Sequence, residues 1–399
     1  GVMTVDEDQL LDLAWQQRPS WALLPFEHLD PRWKVLRVDG VSPLDKAFDA
    51  ARYPLVARFG VTDADQMSKV ILPRTNRDAE RMTVLVMSGV TALTRATGWQ
   101  MEQQGMTFPG QYIWPWLREA DITHVSNEAP FTPNCPPADR YQASLILCSR
   151  PEYIQLLEYI GADVVELTGN HLMNWGASAL EFTMTLLEER GMKHYAAGEN
   201  QLAAREPLLL QHNGNRIAFI GCNPVGPPGV WATPYRLGVA NCLDYGWVKD
   251  AIRQQLDAGY IPIVTLQYHE TYQLNPSPFA VRDFLPLSEA GAAIVSGSQA
   301  HHPHGLAFVD DRLVHFGLGN LFSDQVRMPF NAGPRLFNPD LLPVPGTRLA
   351  FIDRHIIYDG RHISTELLTI VLEEDGQPRP MTEDERRIFL QDTFTASGW

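Results

Sequence analysis

The run Asp163-Val-Val-Glu-Leu-Thr-Gly-Asn-His171, followed by Asn174 and Trp175, decides the fold. Four residues of strand character (Val164 to Leu167) end on a turn of polar and small residues. A helical pattern follows, with Ala177, Leu180, Met184 and Leu187 on one face and a stop near Gly191. Strand, polar turn, helix is the unit from which parallel sheets are built. Upstream the same unit begins with Thr83 to Met87, Asp121 to Val125 and a helix from Pro151. Downstream it recurs as Arg216 to Ile220 and a helix from Trp247 to Leu256. Ile261 to Leu266, a helix ending at Ala290 and Ala293 to Ser296 complete the series. After that the pattern changes. Leu306 to Val309, Arg312 to Phe316, Arg348 to Tyr358 and His362 to Val371 read as strands, two pairs of them joined at the tight turns Asp310-Asp311 and Asp359-Gly360. The expectation is an α/β fold with two face-to-face sheets, each covered by helices: a four-layer αββα sandwich over residues 79–399.

Residues 1–78 lie outside this rhythm and read as a small N-terminal α/β lobe. Val5 to Trp15 has helical spacing, with Thr4 and Glu7 placed as a capping box. Trp21 to Phe26, Trp33 to Gly40 and Arg52 to Phe59 read as strands, and Arg74 to Arg81 as a linker. The 399 residues exceed what one hydrophobic core usually serves, which agrees with two units.

Composition narrows the function classes. Apolar residues make up 45% and charged residues 20%, a globular balance. Lys and Arg total 32 against 47 Asp and Glu, and no basic run interrupts the excess of about −15, so nucleic acid is not an expected partner. No run of 18 apolar residues exists, and the chain as given does not span a bilayer. It starts Gly-Val-Met-Thr without a basic or apolar leader, as a cytosolic protein would, or as an exported one would after removal of its signal. Cys135 and Cys148 flank a Pro-rich loop and could either pair or stay as thiols, whereas Cys222 reads as a buried small hydrophobe.

Function in α/β sheets gathers at the carboxyl ends of strands. Here those ends carry Ser126-Asn127-Glu128, Gly169-Asn170-His171, Gln267-Tyr268-His269-Glu270, Ser298-Gln299-Ala300-His301-His302-Pro303-His304 and Gly319-Asn320. Five of the twelve histidines fall there. Any one of them could be an ordinary hydrogen-bonding residue; together they point to one shared cleft whose side chains bind metal or move protons. His124 is expected in the core or an interlayer gap, and His194, His212, His355 and His362 at surfaces or edges.

The same segments carry a resemblance. Glu166 to Gly176 resembles the Asn-Asn-His…Asp-Tyr-Gly motif of the CapA-type capsule-biosynthesis family, which is associated with poly-γ-glutamate synthesis and has a calcineurin-like metallophosphatase fold. Gly297 to His304 resembles that family's Gly-His-His-Pro-His block, His315 to Phe322 its Tyr-Ser-Leu-Gly-Asn-Phe, and Asp121 to Pro130 its Asp-Leu-Thr-Phe-Gly-Asn-Leu-Glu-Thr-Pro. The order holds across residues 82–325. Residues 1–78 lie outside the resemblance; Leu24-Pro-Phe and Tyr53-Pro-Leu look faintly like part of a solute-binding-protein lobe.

The resemblance implies a metal set of Glu128, Asn170, His171 and His301, with His171, His269 and His301 as catalytic candidates. Arg95, Gln267, Gln299, His304 and Asn320 are the candidate substrate contacts, and Arg95 and Arg327 the candidate local counter-charges. It also implies a location outside the cytoplasm, with an anchor in a segment absent from this chain. An anionic peptide polymer or a small-molecule substrate is the implied partner, along with other capsule-synthesis proteins. Departures weaken the metal site. Val90 stands where the family has a ligand Asp, Gln267 where it has His, Ser298 and Gln299 in the histidine block, and Asn174 for the Asp of Asp-Tyr-Gly. Two divalent ions need more anionic and imidazole ligands than remain, so one ion at most (Mn, Ca or Zn) or none is expected. The functional readings are a capsule-biosynthesis protein with a degenerate cleft, a metal-dependent hydrolase, an epimerase using His171 and His301 on a peptide, and a non-catalytic binder.

Overall fold

The computed structural model describes residues 4–58, 75–142, 144–323, 346–373 and 376–399. The chain divides into two compact units, Gly1–Ala79 and Glu80–Trp399.

In the first unit the expected helix forms as α1 (Glu7–Gln16), but Asp6 is its N-cap, and no side-chain cap bond is made, so the Thr4–Glu7 box is not realised. The expected strands do not form among the described residues. Trp21 is 82% exposed, and Phe26 opens a single 3-10 turn to His28. Trp33 to Gly40 contributes only the isolated bridge Val38–Val41, and the third expected strand runs partly outside the described residues. The reason is a shortage of partners. A strand needs a neighbour to satisfy its backbone, and this unit instead ties itself with charged groups. Arg77 donates to the carbonyls of Pro43 and Asp45, and Arg37 forms a two-pronged pair with Asp45.

The second unit holds the two expected sheets. In the first, β1 (Met82–Thr91), β2 (Ile122–Asn127), β3 (Val164–Glu166) and β4 (Lys193–Tyr195) run parallel. The later strands β13 (Asn320–Phe322), β14 (Leu349–Tyr358), β15 (Arg361–Leu372) and β16 (Pro378–Pro380) extend this sheet, β13 parallel to β1 and β14 antiparallel to it. The order is β16-β15-β14-β1-β2-β3-β4. The second sheet runs β11-β12-β10-β9-β7-β6. Its members are β6 (Leu208–His212), β7 (Asn215–Cys222), β9 (Ile261–Leu266), β10 (Ile294–Ser296), β11 (Leu306–Val309) and β12 (Arg312–His315). A two-residue pair, β5 (Ala197–Gly198) with β8 (Gly238–Val239), stands apart. Asp310 and Asp359 take left-handed backbone angles in the two hairpin turns, as short polar side chains allow.

Alternation along the strands sorts side chains into layers. Leu85, Met87, Phe351, Phe219 and Ile263 fill the space between the sheets. Val86, Val125 and Val165 face the outer helices, which include α2 (Arg95–Gln104), α3 (Trp114–Arg118), α4 (Ile154–Ile160) and α5 (Ala177–Glu189). Val264, Val295 and Val314 face α7 (Gly246–Asp257) and α8 (Pro278–Glu289) on the other side, while α6 (Gln201–Arg205) and α9 (Glu383–Ala396) complete the helices. Helix, sheet, sheet, helix is the expected four-layer sandwich.

Three cysteine and histidine readings change or close. Cys135 and Cys148 form a disulfide, which settles the open alternative. Cys222 is not a free buried thiol; it pairs with Cys242. His355 and His362 are buried rather than at the surface, because the inward face of β14 and the start of β15 lie against the second sheet. Their ring nitrogens share the hydroxyl of Thr365.

Candidate functional site

Parallel strands put their carboxyl ends at one edge, and the polar residues beyond those ends meet there. Glu128 follows β2, and its backbone N–H donates to the Thr91 carbonyl at the end of β1 (2.9 Å). The turn after β3 passes directly over it. A Cβ on Gly169 would lie 2.6 Å from both Cα and O of Glu128, so only glycine permits the approach. That contact brings Asn170 and His171 to Glu128. From the second sheet, the loop after β10 delivers His301, whose Nε2 lies 3.0 Å from Oε1 of Glu128 and 3.6 Å from Oε1 of Glu270. On its other side, His301 Nδ1 sits 2.8 Å from Oδ1 of Asn320.

These partners fix the proton positions. The amide nitrogen of Asn320 donates to the carbonyls of His301 and Thr347, so its oxygen must accept from His301 Nδ1. Nε2 faces two carboxylates. Both ring nitrogens are therefore donors, and His301 is an imidazolium. Burial alone would depress its pKa, but the charges of Glu128 and Glu270 raise it to about 9. Burial pushes the Glu128 carboxyl up, and His301, His171 and Arg95 outweigh this, holding it at about 2. His171 is set differently. Its Nδ1 lies 2.8 Å from Oδ1 of Asn174, which also accepts from the Leu147 N–H. Nδ1 therefore carries a proton.

Arg95, the first residue of α2, is buried and adopts a left-handed φ of 47°, a strained conformation for a side chain of its size. Gln267 and Gln299 are buried close to the same strand ends. The Gln267 Oε1, both Gln299 amide atoms and the Asn170 Oδ1 have no hydrogen-bond partner among the described residues. Buried polar atoms left this way usually meet water or a ligand.

The expected site residues thus divide. Glu128, His171, His301 and Asn320 meet around one point, and the charge of Arg95 acts on it. Asn170 is adjacent. His269 is turned elsewhere: it packs edge-on to Tyr268 in a neighbouring hollow, and the next residue, Glu270, reaches His301. His304 spends its ring nitrogens on the Thr271 and Phe316 carbonyls and the Thr271 hydroxyl, which anchors the loop carrying Glu270. Arg327 falls outside the described residues. Beneath the cleft lies a group the sequence reading passed over. The Glu166 carboxyl, fully buried at the end of β3, accepts from the hydroxyls of Thr168 and Ser298, and burial raises its pKa. An acidic residue inside an otherwise apolar strand run was the available signal. Among the described residues no three of His, Cys, Asp and Glu converge tightly enough to form a metal cluster.

A two-sheet αββα sandwich with its ionised groups gathered where the parallel strands end defines the class of protein. Within it, the profile of the bacterial capsule synthesis protein PGA_cap family matches residues 84–325, and the chain belongs to that family. The capsule biosynthesis protein CapA of Bacillus anthracis is 23% identical over 357 residues, covering 84% of this chain and 79% of that one. The PGA biosynthesis protein CapA of Bacillus subtilis is 26% identical over 230 residues, covering 56% of this chain and 59% of that one. Among solved structures, the calcineurin-like phosphoesterase YfkN from Bacillus subtilis aligns at 12% identity, covering 79% of this chain and 98% of that one with a TM-score of 0.38. The NAD nucleotidase NadN of Haemophilus influenzae aligns at 10% identity, 79% and 62% coverage and a TM-score of 0.38.

Proposed function

We propose that this chain serves in the synthesis of a γ-linked glutamate capsule polymer outside the cytoplasm, and that its cleft engages the polymer's carboxylates. The observation that carries this reading is the convergence of Arg95, His171 and the His301 imidazolium on Glu128. A chain of net charge −15 repels a polyanion overall, and Arg95 with the His301 imidazolium, set against Glu128 and Glu270, can lower that repulsion at short range. Family membership supplies the polymer. The two disulfides support an oxidising location.

A single divalent ion would require Glu128, His171 and His301 to draw closer together than they stand here. Glu128 would supply a carboxylate, His171 an imidazole, Asn170 an unpartnered amide oxygen, and His301 a second imidazole once its Nε2 proton is lost. With Val90, Gln267, Ser298 and Gln299 at the family's ligand positions, a second ion lacks charge compensation. A bound ion would polarise a carbonyl or acidify a water. Hydrolysis of the polymer is the second reading, favoured by His171, whose ring is oriented through Nδ1 by Asn174.

The test is calorimetric titration with γ-linked glutamate oligomers. Wild-type binding that weakens at least tenfold in Arg95→Gln and His171→Ala supports the proposal. No binding by the wild-type chain, with and without Mn²⁺, overturns it. Shorter oligomers appearing on incubation with the wild-type chain, but not with His171→Ala, would establish the hydrolytic reading.

A further inference from the structure

Next to the Glu128–His301 centre lies a hollow of about 580 Å³, within the range of about 300–1,000 Å³ typical of small-molecule sites. Its walls include Tyr245, Tyr268, His269 and Phe279, and its charged groups are Asp244, Arg282 and Asp283. It adjoins the centre through the chain itself. Tyr268 and His269 line the hollow, and Glu270, the next residue, lies 3.6 Å from His301.

The charged groups are held in place. Helix α8 begins with Ser277 as its cap, the side chain accepting from the Ala280 N–H, and sets Phe279, Arg282 and Asp283 three and four residues apart on one face. Asp283 accepts from the hydroxyls of Tyr268 (2.7 Å) and Tyr245 (3.3 Å) and from Nε (2.6 Å) and Nη2 (3.1 Å) of Arg282. Its acceptor capacity is thus spent inside the protein. The guanidinium is gripped along one edge by Asp283 and rests over the Phe279 ring, 5.2 Å from its centroid. Asp283 takes Nε and Nη2, the Tyr268 hydroxyl lies beside the guanidinium, and the Nη1 edge, which makes no bond to Asp283, presents the planar geometry that suits a carboxylate. Asp244, exposed, accepts one bond from the Gly246 N–H and keeps its second oxygen open. Tyr245, next to Asp244 in the lining, is held at a left-handed φ of 64°, a conformation aromatic residues rarely adopt.

A hollow that offers one oriented guanidinium and one open carboxylate, on aromatic walls, is complementary to a ligand carrying an anion and a cation side by side. We infer that this hollow binds a terminal α-amino-acid unit, its carboxylate on Arg282 and its ammonium on Asp244. A phosphate group fits less well, because its higher charge would face both Asp244 and Asp283. The inference rests on the polymer reading above and deepens it. In a γ-linked chain every unit has a free α-carboxylate, but only the amino-terminal unit also has a free α-ammonium. The hollow therefore distinguishes the polymer's amino end from its interior.

The probes are glutamate, N-acetylglutamate and glutarate, the last two lacking the ammonium, titrated by calorimetry or saturation-transfer NMR. Wild-type chain is expected to bind glutamate at least tenfold more tightly than either analogue. Arg282→Gln should weaken glutamate at least tenfold, and Asp244→Asn should remove the preference over N-acetylglutamate. Both side chains are exposed, so both variants should unfold as wild type does, and unfolding curves check this. Absence of glutamate binding, or binding indifferent to Arg282→Gln, overturns the inference. The long polymer separates the two proposals. Polymer binding that survives Arg282→Gln unchanged removes the hollow and leaves the polymer reading, whereas Arg282-dependent glutamate binding without polymer binding does the reverse.

Discussion

Oε1 of Glu128 lies 3.0 Å from Nε2 of His301, two buried side chains 173 residues apart in the chain and carried by different sheets. Neither would be stable there as a lone charge, because removing one partner of a buried pair typically costs about 3–5 kcal/mol. The neutral amide in Glu128→Gln should cost less, since His301 can then lose its proton. The pH dependence identifies the pair. His301 has its pKa raised to about 9, so its contribution is full below the unfolded value near 6.5 and is lost as pH rises through about 9. The stability gap between wild type and Glu128→Gln, measured by urea unfolding with chelator present, should be largest near pH 6 and shrink by pH 9. A gap that does not vary across that range would show that His301 is not an imidazolium.

Gly169→Ala tests the closeness of the turn to Glu128. An added Cβ at 2.6 Å from the Glu128 backbone must push one of the two away. Overpacking of this kind costs roughly 1–3 kcal/mol. Polymer binding should fall more steeply than stability, because the displaced turn carries Asn170 and His171. Unfolding and titration on the same sample separate the two effects. Unchanged binding would mean that His171 has no part in the cleft.

The strand ends were legible because each follows from local pattern: an apolar run, then a polar turn, then a helix. Glu128, His171 and His301 could therefore be grouped from sequence, since parallel strands force their ends to one edge. What the sequence did not carry were choices made by packing. That Glu270 and not His269 reaches His301 depends on the direction in which one turn leaves β9, and consecutive residues there point in different directions. His355 and His362 read as edge residues, because nothing local shows that β14 and β15 lie against a second sheet. Cys222 gave no hint of its pairing, since Cys242 lies 20 residues on, beyond any short motif. The first unit was misread for a related reason. Apolar runs such as Trp21 to Phe26 have strand composition, but a strand also needs a neighbour.

Metal titration checks the charge argument at the centre. Metal-free protein titrated with Mn²⁺, Ca²⁺ and Zn²⁺ in turn is expected to take up no more than one ion per chain, with loss of that binding in Glu128→Gln and His171→Ala. Elemental analysis after dialysis gives the count. Two tightly held ions would show that amide and hydroxyl groups at Gln267, Ser298 and Gln299 substitute for the missing ligands, and the single-ion proposal would fall.

Reduction should act on the two disulfides with different functional results. Each closes a short loop and is expected to contribute about 2–4 kcal/mol. The Cys222–Cys242 bond ties the end of β7 to the segment that continues into Leu243, Asp244 and Tyr245, which line the hollow beside Arg282. Replacing both of these cysteines by serine should therefore weaken glutamate binding. The corresponding change at Cys135 and Cys148 should lower stability and leave that binding intact. Equal effects of the two double variants on binding would contradict this division.

His124 offers a test of how buried imidazole limits acid stability. It is fully buried between the sheets, stacked on Phe219 with Nε2 2.8 Å from the Tyr195 hydroxyl, and burial lowers its pKa to about 3. In the unfolded chain it takes a proton near pH 6.5, and in the folded chain it resists one. Stability from this group is full above about 6.5 and is lost progressively as pH falls towards 3, by up to about 1.4 kcal/mol per pH unit. The raised pKa of the neighbouring Glu166 tilts the curve the other way, being favourable in acid and lost as pH rises, so the wild-type profile mixes both. His124→Phe keeps the stacked ring, removes the titrating group together with its contact to the Tyr195 hydroxyl, and leaves Tyr195 its bond to Thr265 (2.7 Å). The difference between variant and wild type should therefore grow in favour of the variant as pH falls from 6.5 to 4. A difference that stays flat over that interval would mean that the imidazole is protonated in the fold, with the Glu166 carboxylate as its counter-ion.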